Sequence, residues 1–170
     1  MNNMSFKTTR RRVHPTRGFS LIELLIVVAI ILIIAAIAIP SIIKAKMSAN
    51  EAAAAQSIRT ITTGENTYAA ACPSVGFSGS LAELHTGTIC AGGQNILDDV
   101  LGGSDPSFKS GYKFTYASTA VSGLNVSFTV TGVPMNVGAT GQRGFYSDQT
   151  DVIRYTEDGS APTSASSALK

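Results

Sequence analysis

The longest apolar run of the chain covers residues 24–39, where 16 consecutive positions are Leu, Ile, Val or Ala. Together with residues 19–23 the stretch has 21 residues, which as a helix is roughly 31 Å long, about the thickness of a bilayer hydrocarbon core. The run has no polar face, which argues against an amphipathic surface helix. The pattern therefore predicts a membrane-spanning helix over residues 19–39.

Beyond this run, residues 40–72 form the amphipathic second half of the predicted helix. Pro40 has no backbone N–H, so it should kink or loosen the helix without necessarily ending it. The spacing of positions 54, 58, 61, 65 and 68 places them on one stripe, in which Glu65 is the polar member. Cys72 is the predicted end, because Pro73 disfavours helical backbone at the residue before it.

The rest of the chain, residues 73–170, is predicted to be one small globular domain. Residues 73–110 are rich in Gly and Ser and form a connecting loop, with helical turns expected at 80–85 and 95–101. The tail, residues 158–170, consists mainly of Ser, Ala and other small residues and is expected to be loosely ordered.

Between loop and tail, residues 111–157 show the period of two that is typical of strands. Residues 111–116 and 124–131 alternate apolar and polar side chains, so both are predicted as half-buried antiparallel strands; a hairpin turning at 149–150 follows. In this prediction Leu124 and Val126 face the helix. The fold class is therefore α+β, a long N-terminal helix packed on a small antiparallel sheet of three or four strands.

Glu23 is the charged residue inside the predicted span. A carboxylate in hydrocarbon costs on the order of 3 kcal/mol or more, so it needs a partner or a position that reaches water. Cleavage after Gly18 would supply a partner, because the new α-amino group of Phe19 would lie about one helical turn away, on the same chain or a neighbour. In the alternative, Glu23 lies at the headgroup level and has no role.

The hexapeptide GFSLIE at residues 18–23 combines these features with a basic leader before it and an apolar helix and Pro40 after it. This segment, residues 1 to about 45, resembles the prepilin-type signal of type IV pilins and type II secretion pseudopilins. The resemblance implies that a membrane-embedded prepilin peptidase cuts between Gly18 and Phe19 and methylates the amine of Phe19. It also implies that Glu23 aids docking into a fibre of apolar helices, often melted near the proline that corresponds to Pro40.

The charge distribution supports export of the chain after the leader, residues 1–18. Five of the 13 Lys and Arg lie in this leader, which by the positive-inside rule stays cytoplasmic. The mature chain keeps 8 cations against 11 acids, and these cations are dispersed, so we expect no nucleic-acid partner. A secretory signal cut near residues 36–38 is the alternative, but it would leave Glu23 unexplained.

The exported location also predicts a disulfide between Cys72 and Cys90, closing a loop of 19 residues. On the loop-entropy model such a bridge stabilises the fold by roughly 3 kcal/mol. Two free thiols would fit a cytoplasmic chain instead, and that location conflicts with the predicted topology.

The sequence offers no catalytic constellation, and we expect neither an enzyme nor a cofactor. His14 lies in the leader, and His85 has no second His or Cys at ligand spacing. Because major pseudopilins bind calcium in a late loop, Asp148 and Asp151 are weak calcium candidates, although the spacing of the acids fits no calcium-loop pattern.

Three functions remain open at this stage: a filament-forming pilin, a major pseudopilin that drives protein export, and a single-pass anchor carrying a binding domain. Both cysteines precede the strands, whereas type IVa pilins have a pair near the C-terminus. The resemblance implies an inner-membrane protein with its globular part in the periplasm, then a filament at the cell surface or in the periplasm. The implied partners are copies of itself, prepilin peptidase, the inner-membrane assembly platform and minor pilins or pseudopilins.

Overall fold

The structure, a computed structural model, describes residues 18–86 and 95–169. The chain divides into two compact units, residues 1–39 and 40–170. One helix, α1, covers Leu21–Ala71, and Pro40 lies inside it. Proline removes a single donor from the ladder of backbone hydrogen bonds, and α1 is helical on both sides of Pro40.

After α1 the described residues form two short helices and an antiparallel sheet. The helices are α2 (Leu81–Thr86) and α3 (Asp99–Gly102). The six strands pair in chain order: β1 (Ser107–Lys109), β2 (Tyr112–Val121), β3 (Leu124–Pro134), β4 (Gly144–Asp148), β5 (Arg154–Thr156) and β6 (Ser167–Ala168).

The α+β fold is confirmed, but the sheet has six strands where the sequence predicts three or four. The additional strands are β1, which lies in the predicted loop, and β6, which lies in the predicted loose tail. They have three and two residues. Strands this short show no readable alternation, and they are defined by their pairing with β2 and β5.

The core of the unit 40–170 lies between the second half of α1 and one face of the sheet. The predicted α1 stripe is confirmed, since all five of its members are fully buried: Ala54, Ile58, Ile61, Glu65 and Tyr68. The long strands β2 and β3 contribute alternate residues, as a period of two requires: Tyr112, Phe114, Tyr116, Phe128 and Val130. Phe145 of β4 is buried with them.

The tip of the β2–β3 hairpin is not covered by α1. Leu124 and Val126 are 37% and 45% exposed, so their predicted burial against the helix is wrong. The reason is that α1 ends at Ala71, and residues 75–77 then pair with Asn125 along β3: the Asn125 N–H donates to the Val75 carbonyl over 2.8 Å.

A buried carboxylate fastens α1 to the loop before β4. Glu51, 7% exposed, accepts hydrogen bonds from the backbone N–H groups of Gln142 and Arg143 and from the Arg143 guanidinium, the last over 2.8 Å. Burial alone would raise the pKa of Glu51, but these hydrogen bonds outweigh it and hold the pKa below its usual value of 4.5.

We expect Glu51→Gln to lower the free energy of unfolding by about 1–3 kcal/mol at neutral pH, because Arg143 loses its charged partner. The loss should shrink as the pH falls through the depressed pKa of Glu51, since the wild-type carboxylate is then protonated too. This loss is measured by denaturant unfolding of the mature chain in detergent. Unfolding is monitored through tyrosine signals, because the protein has no Trp.

Lys109→Gln is the matched control, because it breaks the more exposed ion pair between Lys109 and Asp98. This variant should lower the free energy of unfolding by less than about 1 kcal/mol. Equal losses in the two variants, or a Glu51→Gln effect that does not change with pH, would contradict the assignment of Glu51 as a buried charged clamp.

Candidate processing and assembly site

The predicted cleavage junction lies immediately before α1. Gly18, Phe19 and Ser20 are exposed and precede the helix, whose first residue is Leu21. A β-carbon built on Gly18 would meet no atom within 4 Å. The junction is therefore an exposed, non-helical stretch of backbone, which a peptidase could reach without unfolding the helix.

Ser20 and Glu23 form one half of a capping box at the start of α1. The Ser20 N–H donates to Glu23 Oε2 over 3.3 Å, and the Leu24 N–H donates to the Ser20 carbonyl over 3.2 Å. In a capping box S-x-x-E the glutamate reaches back to the N–H of the capping serine, satisfying a donor that the helix leaves free. This local role of Glu23 was missed, although the spacing of Ser20 and Glu23 is its sequence signature.

The capping contact leaves part of Glu23 available. Only Oε2 takes part in it, and within the described residues Oε1 accepts no hydrogen bond. The side chain is exposed, in the first helical turn after the junction. A carboxylate held in this way has one oxygen aimed at its own helix and another free for a partner on a different chain.

The helix behind Glu23 presents its apolar side chains outward. An 18-residue window of α1 has a mean hydropathy of 3.3, and none of it is buried. Large side chains of the segment, including Leu21 at 79% and Ile37 at 75%, are mostly exposed. An apolar surface of this extent needs a bilayer or other protein to cover it, and the length and composition of the helix fit a membrane span.

The two calcium candidates are occupied by hydrogen bonds of the protein itself. The carboxylate of Asp148 accepts from Thr150 and from the Tyr146 hydroxyl, and Asp151 Oδ2 accepts from Asn66 Nδ2 over 2.7 Å. Within residues 18–86 and 95–169, no three His, Cys, Asp or Glu side chains group as metal ligands would.

Cys72 is buried directly after α1, but Cys90 lies outside the described residues. The Cys72–Cys90 disulfide therefore stays a prediction. His85 lies on α2, where Nδ1 contacts the Leu97 carbonyl at 3.1 Å and Nε2 lies 3.4 Å from Asp99. Its contacts fasten α2 to the chain before and within α3.

Comparison with known proteins identifies the N-terminal segment. Residues 14–39 match the family model described as the prokaryotic N-terminal methylation motif. No curated protein and no solved structure matches the chain. The matched residues include Gly18, Phe19 and Glu23 and the whole apolar run. Residues 14–39 therefore carry the prepilin signal of type IV pilins and pseudopilins, which supports processing of the chain by prepilin peptidase.

Proposed function

We propose that this protein is the structural subunit of a type IV pilus-like filament. One observation carries the proposal: the prepilin signal leads into a helix whose apolar segment is left exposed by the part of the chain that the structure describes. Prepilin peptidase would remove residues 1–18, and methylation would follow at the amine of Phe19. The mature subunits would then pack their apolar helices together, a heterologous contact that repeats without closing and so builds a fibre.

In this proposal Glu23 sets the axial register of each entering subunit. Its free oxygen would pair with the positively charged Phe19 amine of a neighbouring subunit. Either group left unpaired inside a core of Leu, Ile and Val would carry a large desolvation cost. The position at which both are paired is therefore strongly favoured over positions shifted along the fibre.

The proposed location follows from the charge of the leader. Five cations before the span favour a single-pass inner-membrane precursor with its globular part in the periplasm. From there the subunit would reach the filament through the inner-membrane assembly platform and minor pilins or pseudopilins. As part of the same proposal, the chain is not an enzyme and binds no cofactor.

A second candidate is the major pseudopilin of a type II secretion system. Its support is the position of the cysteines, since Cys72 and Cys90 both precede the strands, unlike the late pair of type IVa pilins. Such a subunit would build a short periplasmic fibre that drives protein export.

Mass spectrometry of native cells, separated into sheared surface fibres and washed membranes, tests these proposals. A mature chain beginning at N-methyl-Phe19 and abundant in the sheared fraction is the expected result for a pilus. The same terminus confined to membranes, together with blocked export of proteins on deletion, would identify a pseudopilin. A leader still attached in both fractions would overturn both proposals and favour an anchored binding domain.

A further inference from the structure

Glu65 is fully buried, and within residues 18–86 and 95–169 no cation is among the groups that act on its carboxylate. It belongs to the core stripe of α1, between Ile61 and Tyr68. Glu65 Oε2 accepts the Ser78 N–H over 2.8 Å, and Oε1 accepts the Ser78 hydroxyl. These two hydrogen bonds join α1 to the turn before α2, and we call them the Glu65–Ser78 clasp.

The groups that face the clasp are neutral or acidic on every neighbouring element. Tyr68 comes from α1, Glu83 from α2 and Tyr116 from β2. The Tyr116 hydroxyl donates to the Ser78 carbonyl over 2.9 Å, and the Gly79 N–H donates to Glu83 Oε2 over 2.7 Å. Residues 87–94, outside the described parts, contain no Lys, Arg, His, Asp or Glu, so they supply no cation either.

This surrounding favours the protonated form of Glu65. Burial raises the pKa of Glu65 above its usual value of 4.5, and the negative charge of Glu83 acts in the same direction. The hydrogen bonds from Ser78 oppose the rise only in part. The folded protein therefore holds this proton more tightly than the unfolded chain, and its stability falls as the pH rises through the raised pKa.

We propose that the Glu65–Ser78 clasp is a pH-sensitive closure, which holds residues 78–80 on α1 in acidic surroundings and opens locally as the pH rises. A protonated Glu65 brings no charge into the core. An ionised Glu65 brings a charge with no counter-charge, and the shortest route for water to reach it is to lift the turn that carries Ser78.

The neighbouring contacts confine this opening to a few residues. On one side, Val75 and Phe77 are held by backbone hydrogen bonds to Asn125. On the other side, Leu81 and Leu84 of α2 are fully buried. The closure lies within the unit 40–170, so it can be tested in the unassembled subunit.

Two adjacent backbone amides report on the closure. The Ser78 N–H bonds Glu65, whereas the next one, of Gly79, bonds Glu83. The experiment measures their hydrogen exchange in the full mature chain in detergent, from about pH 4 to about pH 8. Each rate is divided by that of an unprotected peptide at the same pH, which removes the intrinsic pH dependence.

We expect the protection of Ser78 to fall with rising pH, by up to about tenfold per pH unit, between the usual pKa of 4.5 that Glu65 regains in the open state and its raised pKa in the closed state, and to level off above the raised pKa. Glu65→Gln removes the titrating group and should flatten this slope. Glu83→Gln, the matched control, should reduce protection at Gly79 and keep the slope at Ser78. An equal slope in wild type and Glu65→Gln would overturn the proposal.

A measurement on the wild-type chain decides the matter if Glu65→Gln does not fold. The ¹³C shift of the Glu65 carboxyl is followed through the same pH series. Titration above the usual value of 4.5, together with loss of Ser78 protection over the same range, is the expected result. Titration at or below that value overturns the proposal.

Discussion

Replacing Glu23 by alanine is expected to stop filament assembly while leaving removal of the leader intact. The substitution leaves the Phe19 amine of a neighbouring subunit without its partner in an apolar core. A cost of about 3 kcal/mol per subunit lowers the assembly constant roughly hundredfold for every contact. The measurement is the amount of mature subunit in sheared fibres, or in cross-linked ladders from membranes, in cells that make only this variant.

Two further variants separate the charge of Glu23 from its capping role. Glu23→Gln keeps an acceptor for the Ser20 N–H but has no charge, so it should fail to assemble as Glu23→Ala does. Ser20→Ala keeps both the backbone donor and the carboxylate, so it should assemble normally. Normal fibres from Glu23→Ala alone would contradict the pairing, and fibres from Glu23→Gln would show that the helix cap matters instead.

The parts of the fold that could be predicted are those whose signal is local. The span is one unbroken apolar run, and the α1 stripe repeats within a helical period, so both can be read from neighbouring positions. Buried and less buried residues alternate over 112–117 in one long strand and over 127–134 in the other. Their hairpin tip was still misjudged, because the point at which α1 stops covering β3 depends on where the helix ends in space.

The buried polar contacts could not be predicted, since their partners are far apart in the chain. Glu51 bonds residues 91 and 92 positions away, and Glu65 bonds Ser78 across the end of α1. No periodicity distinguishes a glutamate that finds such donors from one that faces water. Glu65 was recognised as the polar member of an apolar stripe, but its partner became visible only with the turn that follows the helix.

The candidate site likewise has a part that local sequence predicts and a part that depends on a distant partner. Gly18, Phe19 and Glu23 lie within six residues, so a local pattern could identify all three. The pairing proposed for Glu23 involves two copies of the chain. The contacts within one chain therefore do not contain this pairing. Experiments have to distinguish a variant that is not processed from a variant that is processed but does not assemble.

Replacing Gly18 by valine is expected to block removal of the leader. Apart from its chain neighbours, a β-carbon at this position would meet no atom of the described residues within 4 Å, so the substitution should not disturb α1 or the globular unit. Any loss of processing then measures recognition of the junction by the peptidase. The intact mass of the membrane-bound chain should show all 18 leader residues retained, with no N-methyl-Phe19 and no assembled fibre.

Ser20→Ala serves as the control, because it changes the residue after Phe19, on the other side of the junction, and should be processed normally. The alternative secretory reading makes a different prediction for the same variant. A peptidase that cuts near residues 36–38 would ignore Gly18→Val and release a chain that lacks Glu23 and most of the apolar run. A mature terminus at Phe19 in the variant would contradict the role of Gly18, whereas a terminus near residue 38 would contradict the whole account of a helix retained to build a fibre.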